Sequence, residues 1–418
     1  MKNLLSRKQH NAKLTALDFL KYIGPGFLVT IGFIDPGNWA ANVSAGSAYG
    51  YSILWVITLS TFLLIFLQHN AAHLGIVTGY CLSEAANIYL KPWISKPIIY
   101  SAMGASISTA LAEILGSSIA LQMLFKIPMR IGMVLVSVFI VVMLFTNSYK
   151  KLERWIIGFV SLIGISFIIE LCFVHVKWNN VLVSSAIPSF PKGSMLLIMS
   201  VLGAVVMPGN LFLHSEVIQS RQWNTENEHV KEKYLKFEFM DTIFSMLAGW
   251  AINCAIIIIA AATFFTSKIQ VTELSQAHEM LEPLLGNTAS AIFAIALLLS
   301  GIASCITAGM SGGSIFTGLY RECYDISDNH TKAGVLITII PALIISFLIS
   351  DPLKGLIYSQ MLLSIQLPFT IFLQIYLTSS KKVMGKYRNS KLNLVFLWIT
   401  GIVISALNIL LFISTIVK

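Results

Sequence analysis

Asp35-Pro36-Gly37-Asn38 and Met207-Pro208-Gly209-Asn210 each interrupt an apolar stretch long enough to cross a membrane. Proline deletes a backbone donor and glycine loosens the backbone, so each tetrapeptide breaks the helix its neighbours would form. In a bilayer, unwound backbone survives only where protein buries it or where it lines a water-filled cavity. Matching breaks in the two halves of a membrane chain point to the substrate site of a secondary transporter.

The composition agrees with a membrane setting. The chain has 418 residues, 56% of them hydrophobic and 11% charged, against about 25% charged in soluble domains. The net charge of +9 is unevenly spread along the chain, so nucleic acid is not an expected partner. Cys81, Cys172, Cys254, Cys305 and Cys323 are odd in number and lack paired metal-type spacing, which gives them no redox or ligand role. Pro25, Gly26 and Asp35 interrupt the first apolar segment and no cleavage pattern follows it. A removable signal peptide is therefore not expected.

Apolar windows predict an all-α integral membrane protein of eleven spans. They lie near 24–46, 52–74, 98–124, 131–145, 155–174, 195–214, 239–265, 288–319, 335–349, 355–377 and 392–417. With the N-terminus in the cytoplasm, 21 of the 28 Lys and Arg residues fall on the inner side. The positive-inside bias therefore places the C-terminus outside, in a cell (plasma) membrane. Spans one to five and six to ten then start from opposite sides, and Pro36 and Pro208, 172 residues apart, occupy the same place in each block. This is the pattern of a five-plus-five inverted repeat. It gives one transporter domain with repeats at about 20–176 and 194–379 and an extra helix at about 392–417. The hydrophilic connection 216–236 reads as a loop able to form an interfacial helix.

The residues at the breaks describe a cation site. Asp35 puts a carboxylate near mid-membrane, where an ionisable group is costly and usually functional. Asn38 adds an amide oxygen, Met207 a thioether, and unwinding frees backbone carbonyls. Such a set suits a divalent metal, and the sulfur leans it from calcium and magnesium toward manganese, iron or cadmium. Each residue also has a plainer reading: Asp35 as a helix cap, Asn38 as a backbone partner, Met207 as packing. Depth favours the ligand role for Asp35, and the adjoining break favours it for Met207.

The chain resembles the Nramp family of divalent metal transporters. The likeness runs through Gly24-Pro25-Gly26-Phe27, Asp35-Pro36-Gly37-Asn38-Trp39-Ala40, Leu111-Ala112-Glu113 with Gly116, and Gly203-Ala204-Val205-Val206-Met207-Pro208. It continues through Asn210-Leu211, Leu213-His214-Ser215, Ser359-Gln360 and Leu363-Ser364-Ile365-Gln366-Leu367-Pro368-Phe369. The resemblance implies the LeuT-type fold, helices one and six unwound, and manganese or iron uptake by alternating access. It also implies metal ligation by Asp35, Asn38, Met207 and the Ala204 carbonyl, with Gln360 a state-dependent ligand and the Gly32 carbonyl a weaker candidate. The metal is then the substrate, and no cofactor is expected.

Departures from the family pattern fall on its proton route. Gly209 replaces a usual His, Ala110 an Asp and Met103 an acidic residue, and Asn329–Ile340 offers Lys332 where arginines are common. Asp35 and Glu113 are the usual titratable groups that remain. Coupling to protons is therefore expected to be weak, altered or absent, so that symport and uniport both stay open. Glu113 reads either as a proton-binding gate or as a packed neutral carboxyl. Glu170 and His214 read as structural. His69 and His73 lack a third ligand. The small residues Gly301, Ser304, Gly309, Gly312 and Gly313 read as a packing face.

Two rivals remain. Extra room at Gly209 would suit a partly hydrated Mg2+, as in Nramp-related magnesium transporters, although magnesium gains little from Met207. A metal-binding membrane sensor is the other, but Nramp-like sensors carry large cytoplasmic extensions. An enzyme is not expected, because no nucleophile–base set or phosphate loop accompanies the site.

Overall fold

A computed structural model of the chain describes residues 34–147, 158–159, 161–166, 168–169, 171–172, 174–225, 227–271, 274 and 287–416. Among these residues the regular structure is helical throughout, with no strand. Nine helical stretches among the described residues are long and apolar enough to cross a membrane. They account for ten of the eleven predicted spans, because Pro36–Thr78 joins the end of the first to the second. The start of the first span and much of the fifth, with Glu170, lie outside the described residues.

The sixth span breaks where Pro-Gly places it, and the described part of the first span becomes helical at its own Pro-Gly. Helix α1 (Pro36–Tyr49) begins at its proline, a position where the fixed φ suits a first turn and the missing N–H is not needed. A 3-10 turn at Gly50–Ile53 leads into α2 (Leu54–Thr78). Gly79 closes α2 at φ 73°, a left-handed end that glycine adopts without a Cβ clash. Next come α3 (Leu82–Tyr89), α4 (Pro92–Phe125), α5 (Met129–Thr146) and the short α6 (Trp178–Ala186). The sixth span is two pieces, α7 (Met195–Val205) and α8 (Pro208–Ser220). At 1.5 Å per residue these pieces are about 17 and 20 Å long, each little more than half of a bilayer core. Helices α9 (Glu228–Ala260), α10 (Asn287–Gly318), α11 (Asn329–Leu348), α12 (Pro352–Ser379) and α13 (Lys391–Ile416) complete the bundle.

Burial separates α1 and α8 from the shell. Every residue of α1 from Pro36 to Ser47, and of α8 from Pro208 to Gln219, is buried. By contrast α5 exposes Val134, Val138 and Val142, and α13 exposes Val395, Trp398, Ile402 and Ile409. Large apolar side chains exposed along membrane-length helices face lipid. Helix α1 touches α4, α7, α9, α10 and α12, so the broken elements sit in the middle of the bundle.

Small residues set the closest approaches. A Cβ on Gly301 would stand 2.1 Å from Ser117 Oγ, and one on Gly312 would stand 1.9 Å from Thr338 Oγ1. One on Gly309 would stand 2.5 Å from Leu144. The predicted packing face on α10 is therefore real, and it receives α4, α5 and α11. The loop expected at 216–236 is shorter than the sequence suggested. Glu216 lies inside α8, where its carboxylate accepts hydrogen bonds from Ser314 Oγ and the Tyr324 N–H, both at 2.9 Å. Buried partners override the polar character that makes Glu216 look like loop.

Gly203 gives the most direct check on this packing. Its Cβ would meet the Gln360 carbonyl oxygen at 2.2 Å and the Ser364 nitrogen at 2.8 Å, both backbone atoms. Gly203→Ala must push α7 and α12 apart, at about 1–3 kcal/mol. Thermal unfolding in detergent should show a clear fall in Tm for Gly203→Ala and none for Gly104→Ala, whose Cβ would meet nothing within 4 Å.

Candidate metal site at the paired helix breaks

At the first break Asp35 is extended (φ −92°, ψ 164°) and fully buried. Its Oδ1 accepts the Asn38 N–H at 2.5 Å, and its carbonyl accepts the Trp39 N–H at 2.9 Å. Oδ2 accepts no hydrogen bond from a described residue. The cap and ligand readings therefore coexist, with one oxygen closing the helix start and the other left for a cation. The carbonyl of Ile34 just before the break accepts from the Trp39 indole N–H at 3.2 Å and from the Ser300 hydroxyl. Side chains thus supply the donors that the interrupted helix cannot.

At the second break α7 ends at Val205, the Val206 N–H returns to the Leu202 carbonyl, and Met207 is extended (φ −74°, ψ 125°). In an unbroken helix the Ala204 carbonyl would accept from the N–H at 208, but residue 208 is proline and has none. No backbone N–H of a described residue reaches that carbonyl. Met207 is buried against Ala105 of α4 and Leu363 of α12. Gly32 lies outside the described residues; on the chain it stands four before Pro36, the same offset as Ala204 from Pro208.

Helix α12 joins the two breaks. Gln360 is fully buried, and neither its amide oxygen nor its nitrogen has a hydrogen-bond partner among the described residues. Its amide lies on Gly37, where a Cβ would come within 1.7 Å of Nε2. Its own carbonyl abuts Gly203, and Leu363, one turn on, packs on Met207. One turn of α12 therefore touches the Asp35 side and the Ala204–Met207 side of the same centre. Asn38 is buried in the first turn of α1, beside Gly37.

Glu113 completes the polar surroundings. It is fully buried on α4, has Asp35 and Ser304 as polar neighbours, and neither oxygen has a hydrogen-bond partner among the described residues. One turn later, a Cβ on Gly116 would strike Pro36 at 2.0 Å, so the glycine lets α4 close on the break. Two carboxyls held together away from water repel when both are ionised, and a shared proton or cation relieves them.

The family-departure positions are filled in ways that carry no titratable group. Ala110 is buried in the main apolar cluster, and Met103 packs in a second one with Phe212 and Leu373. The extra room expected beside Gly209 is already filled by hydroxyls: a Cβ there would stand 2.9 Å from Ser311 Oγ and 3.4 Å from Ser106 Oγ. Ser311 Oγ donates to the Gly209 carbonyl at 2.9 Å and stands 3.3 Å from Ser106 Oγ. His214 is buried and bonds Gln68 through Nδ1 at 2.8 Å, away from the breaks.

Sequence reasoning missed Ser300, Ser304 as a polar neighbour of Glu113, and Trp39 as a donor to the unwound carbonyl. A signal was present: Ser300, Ser304 and Ser311 recur at helical spacing along one face of α10, a polar stripe beside the glycines.

Comparison with known proteins gives the family and the fold. The family model described as "Natural resistance-associated macrophage protein-like" matches residues 26–414. A divalent metal cation transporter MntH of Caldanaerobacter subterraneus is 38% identical over 377 residues, covering 90% of this chain and 88% of the relative. The MntH of Bacillus subtilis is 34% identical over 405 residues, covering 95% and 92%. A solved structure of an Eremococcus coleocola manganese transporter variant superposes with a TM-score of 0.83 at 27% identity, covering 97% of this chain and 88% of that one. The nucleobase–cation symporter Mhp1, at 14% identity and a TM-score of 0.65 over 94% of this chain and 92% of that one, shares the fold. With an all-α LeuT-type bundle and a family match over nearly its whole length, this chain belongs to the Nramp family of membrane transporters.

Proposed function

We propose that this Nramp protein carries Mn2+, with Fe2+ as a second cargo, into the cytoplasm across the plasma membrane by alternating access. The observation that carries the reading is a set of buried groups with no partner. Asp35 Oδ2 and both ends of the Gln360 amide are buried with no hydrogen-bond partner among the described residues, and the same turn of α12 packs Gln360 on Gly37 and Leu363 on Met207. Burying such groups unpaired is costly, and a cation that collects them removes the cost. Asp35 supplies charge, Asn38, Gln360 and the Ala204 carbonyl supply neutral oxygen, and Met207 supplies the soft donor that favours transition metals over magnesium. The Gly32 carbonyl joins this set by its offset from Pro36.

Glu113 stands next to Asp35 as the group able to exchange a proton when the metal arrives or leaves. Ala110, Met103 and Gly209, where the family usually carries polar groups, offer no titratable side chain to continue that exchange. Coupling of protons to metal is accordingly weak, altered or absent. A second reading, in which a water-bearing Mg2+ is carried, needs room beside Gly209 that the Ser106 and Ser311 hydroxyls occupy. Met207 opposes it. The repeats proposed at 20–176 and 194–379 would rock around this centre, with 392–417 as the added helix.

Three experiments test this reading. In liposomes with an internal pH dye, Mn2+ uptake should proceed with little acidification and vanish in Asp35→Ala; stoichiometric acidification would contradict the uncoupled route. Cd2+ should block Mn2+ uptake, and Met207→Ala should weaken that block by about tenfold or more, equivalent to at least about 1.4 kcal/mol; Mg2+ competing as well as Mn2+ would favour the magnesium reading. In cells whose Cys172 and Cys323 are replaced by Ser, an impermeant maleimide should label Ser350→Cys from outside and Ser390→Cys only after lysis. The reverse pattern would overturn the orientation.

A further inference from the structure

A second group of metal-binding side chains lies away from the breaks, near the end of α2 that the charge bias assigns to the cytoplasm. His69 and His73, four residues apart on one face of α2, line a cavity of about 240 Å³ together with Asn70, Phe239, Asn389 and Asn393. Their rings are nearly parallel, with centroids 6.2 Å apart. Beneath them Glu238 of α9 is 2% exposed; its Oε2 lies 2.5 Å from His69 Nδ1, and its Oε1 accepts from Thr242 Oγ1 at 2.7 Å. A buried carboxylate that holds one imidazole nitrogen as a donor leaves the other as a lone pair, the arrangement that orients metal-ligating histidines. His73 makes no hydrogen bond to a described residue.

Asn389, which also lines the cavity, has an amide of fixed orientation. Thr378 spends its hydroxyl proton on the Gln374 carbonyl at 2.7 Å, so its oxygen accepts from Asn70 Nδ2 at 3.0 Å and from Asn389 Nδ2 at 2.7 Å. That fixes the Asn389 amide with its oxygen turned away from Thr378, and this Oδ1 is buried with no hydrogen-bond partner among the described residues. Two imidazoles, one unspent amide oxygen, a carboxylate behind one imidazole and room for water together make a ligand set.

We propose that this cavity is a second divalent transition-metal site, formed by His69, His73 and the Asn389 side-chain oxygen and oriented by Glu238. It has no sulfur and two imidazoles, so it ranks Zn2+, Co2+ and Ni2+ above Mn2+, unlike a site meant to pass manganese. Glu238 Oε1 also lies 3.9 Å from His214 Nε2, on the half-helix that begins after Met207. An ion on His69 therefore acts on a carboxylate that one of the broken elements shares.

The test uses the full chain in detergent carrying Asp35→Ala and Met207→Ala, so that it does not depend on the transport site. Zn2+ titration by calorimetry and the Co2+ absorption spectrum should still show one site with nitrogen ligands. Adding His69→Ala and His73→Ala should abolish it, and Glu238→Gln should weaken it about 10–100-fold. Absence of a residual site, or one unchanged by the two histidine substitutions, overturns the proposal. In the unsubstituted chain, Zn2+ but not Mg2+ should protect His69 and His73 from diethyl pyrocarbonate, read by mass spectrometry. Equal modification with and without Zn2+ would also overturn it.

Discussion

A backbone carbonyl without a donor is the constraint on which this molecule turns. In hydrocarbon such a carbonyl must find a side chain, a water or a cation. Pro208 cannot donate to Ala204, and by the same count Pro36 cannot donate to Gly32. The rest of the centre answers that deficit. Ser300 and the Trp39 indole take the Ile34 carbonyl, Asp35 Oδ1 takes the Asn38 N–H, and glycines at 37, 116 and 203 bring α4 and α12 close enough to seal the gap. What those partners leave over is the ligand set proposed for the cation: Asp35 Oδ2, the Ala204 carbonyl, the Gln360 amide and the Met207 thioether.

The same economy explains which parts were legible in the sequence. Pro-Gly within an apolar run is a local signal, so both breaks, and Asp35 and Met207 as their chemistry, could be read directly. Span positions were equally plain, because hydrocarbon thickness dictates helix length; the ends shifted by a few residues where caps such as Asp328 and Asp351 extend α11 and α12. Gln360 carries no local sign of function, being a lone amide in a helix, and only the family likeness marked it. Ser300 and Glu216 were missed or misplaced because their roles come from partners 266 and 98–108 residues away in the chain. No local pattern encodes such a partner.

Glu113 shows where chemistry and packing meet. One of its polar neighbours is the acid that would hold the metal, so a change of charge at Asp35 is felt there. Beyond it the α4 face runs through Ala110 and Met103, both in apolar packing. A proton arriving at this pair has no evident titratable successor along α4. That local poverty, more than any single substitution, is why the metal step and the proton step are separated in this account. On the other side of the centre, α8 carries His214 and Glu216, each tied to a different neighbour: α2 through Gln68, and the loop before α11 through Tyr324. These ties give the second half-helix two anchors from which motion at the break can be transmitted.

The most direct measurement is X-ray absorption at the cadmium edge on the purified chain loaded with one equivalent of Cd2+. The account predicts a first shell of oxygens with a single sulfur, the sulfur disappearing in Met207→Ala while the oxygens remain. A shell of oxygen and nitrogen alone in the unsubstituted chain, at full occupancy, would show that the two broken helices do not share the ion.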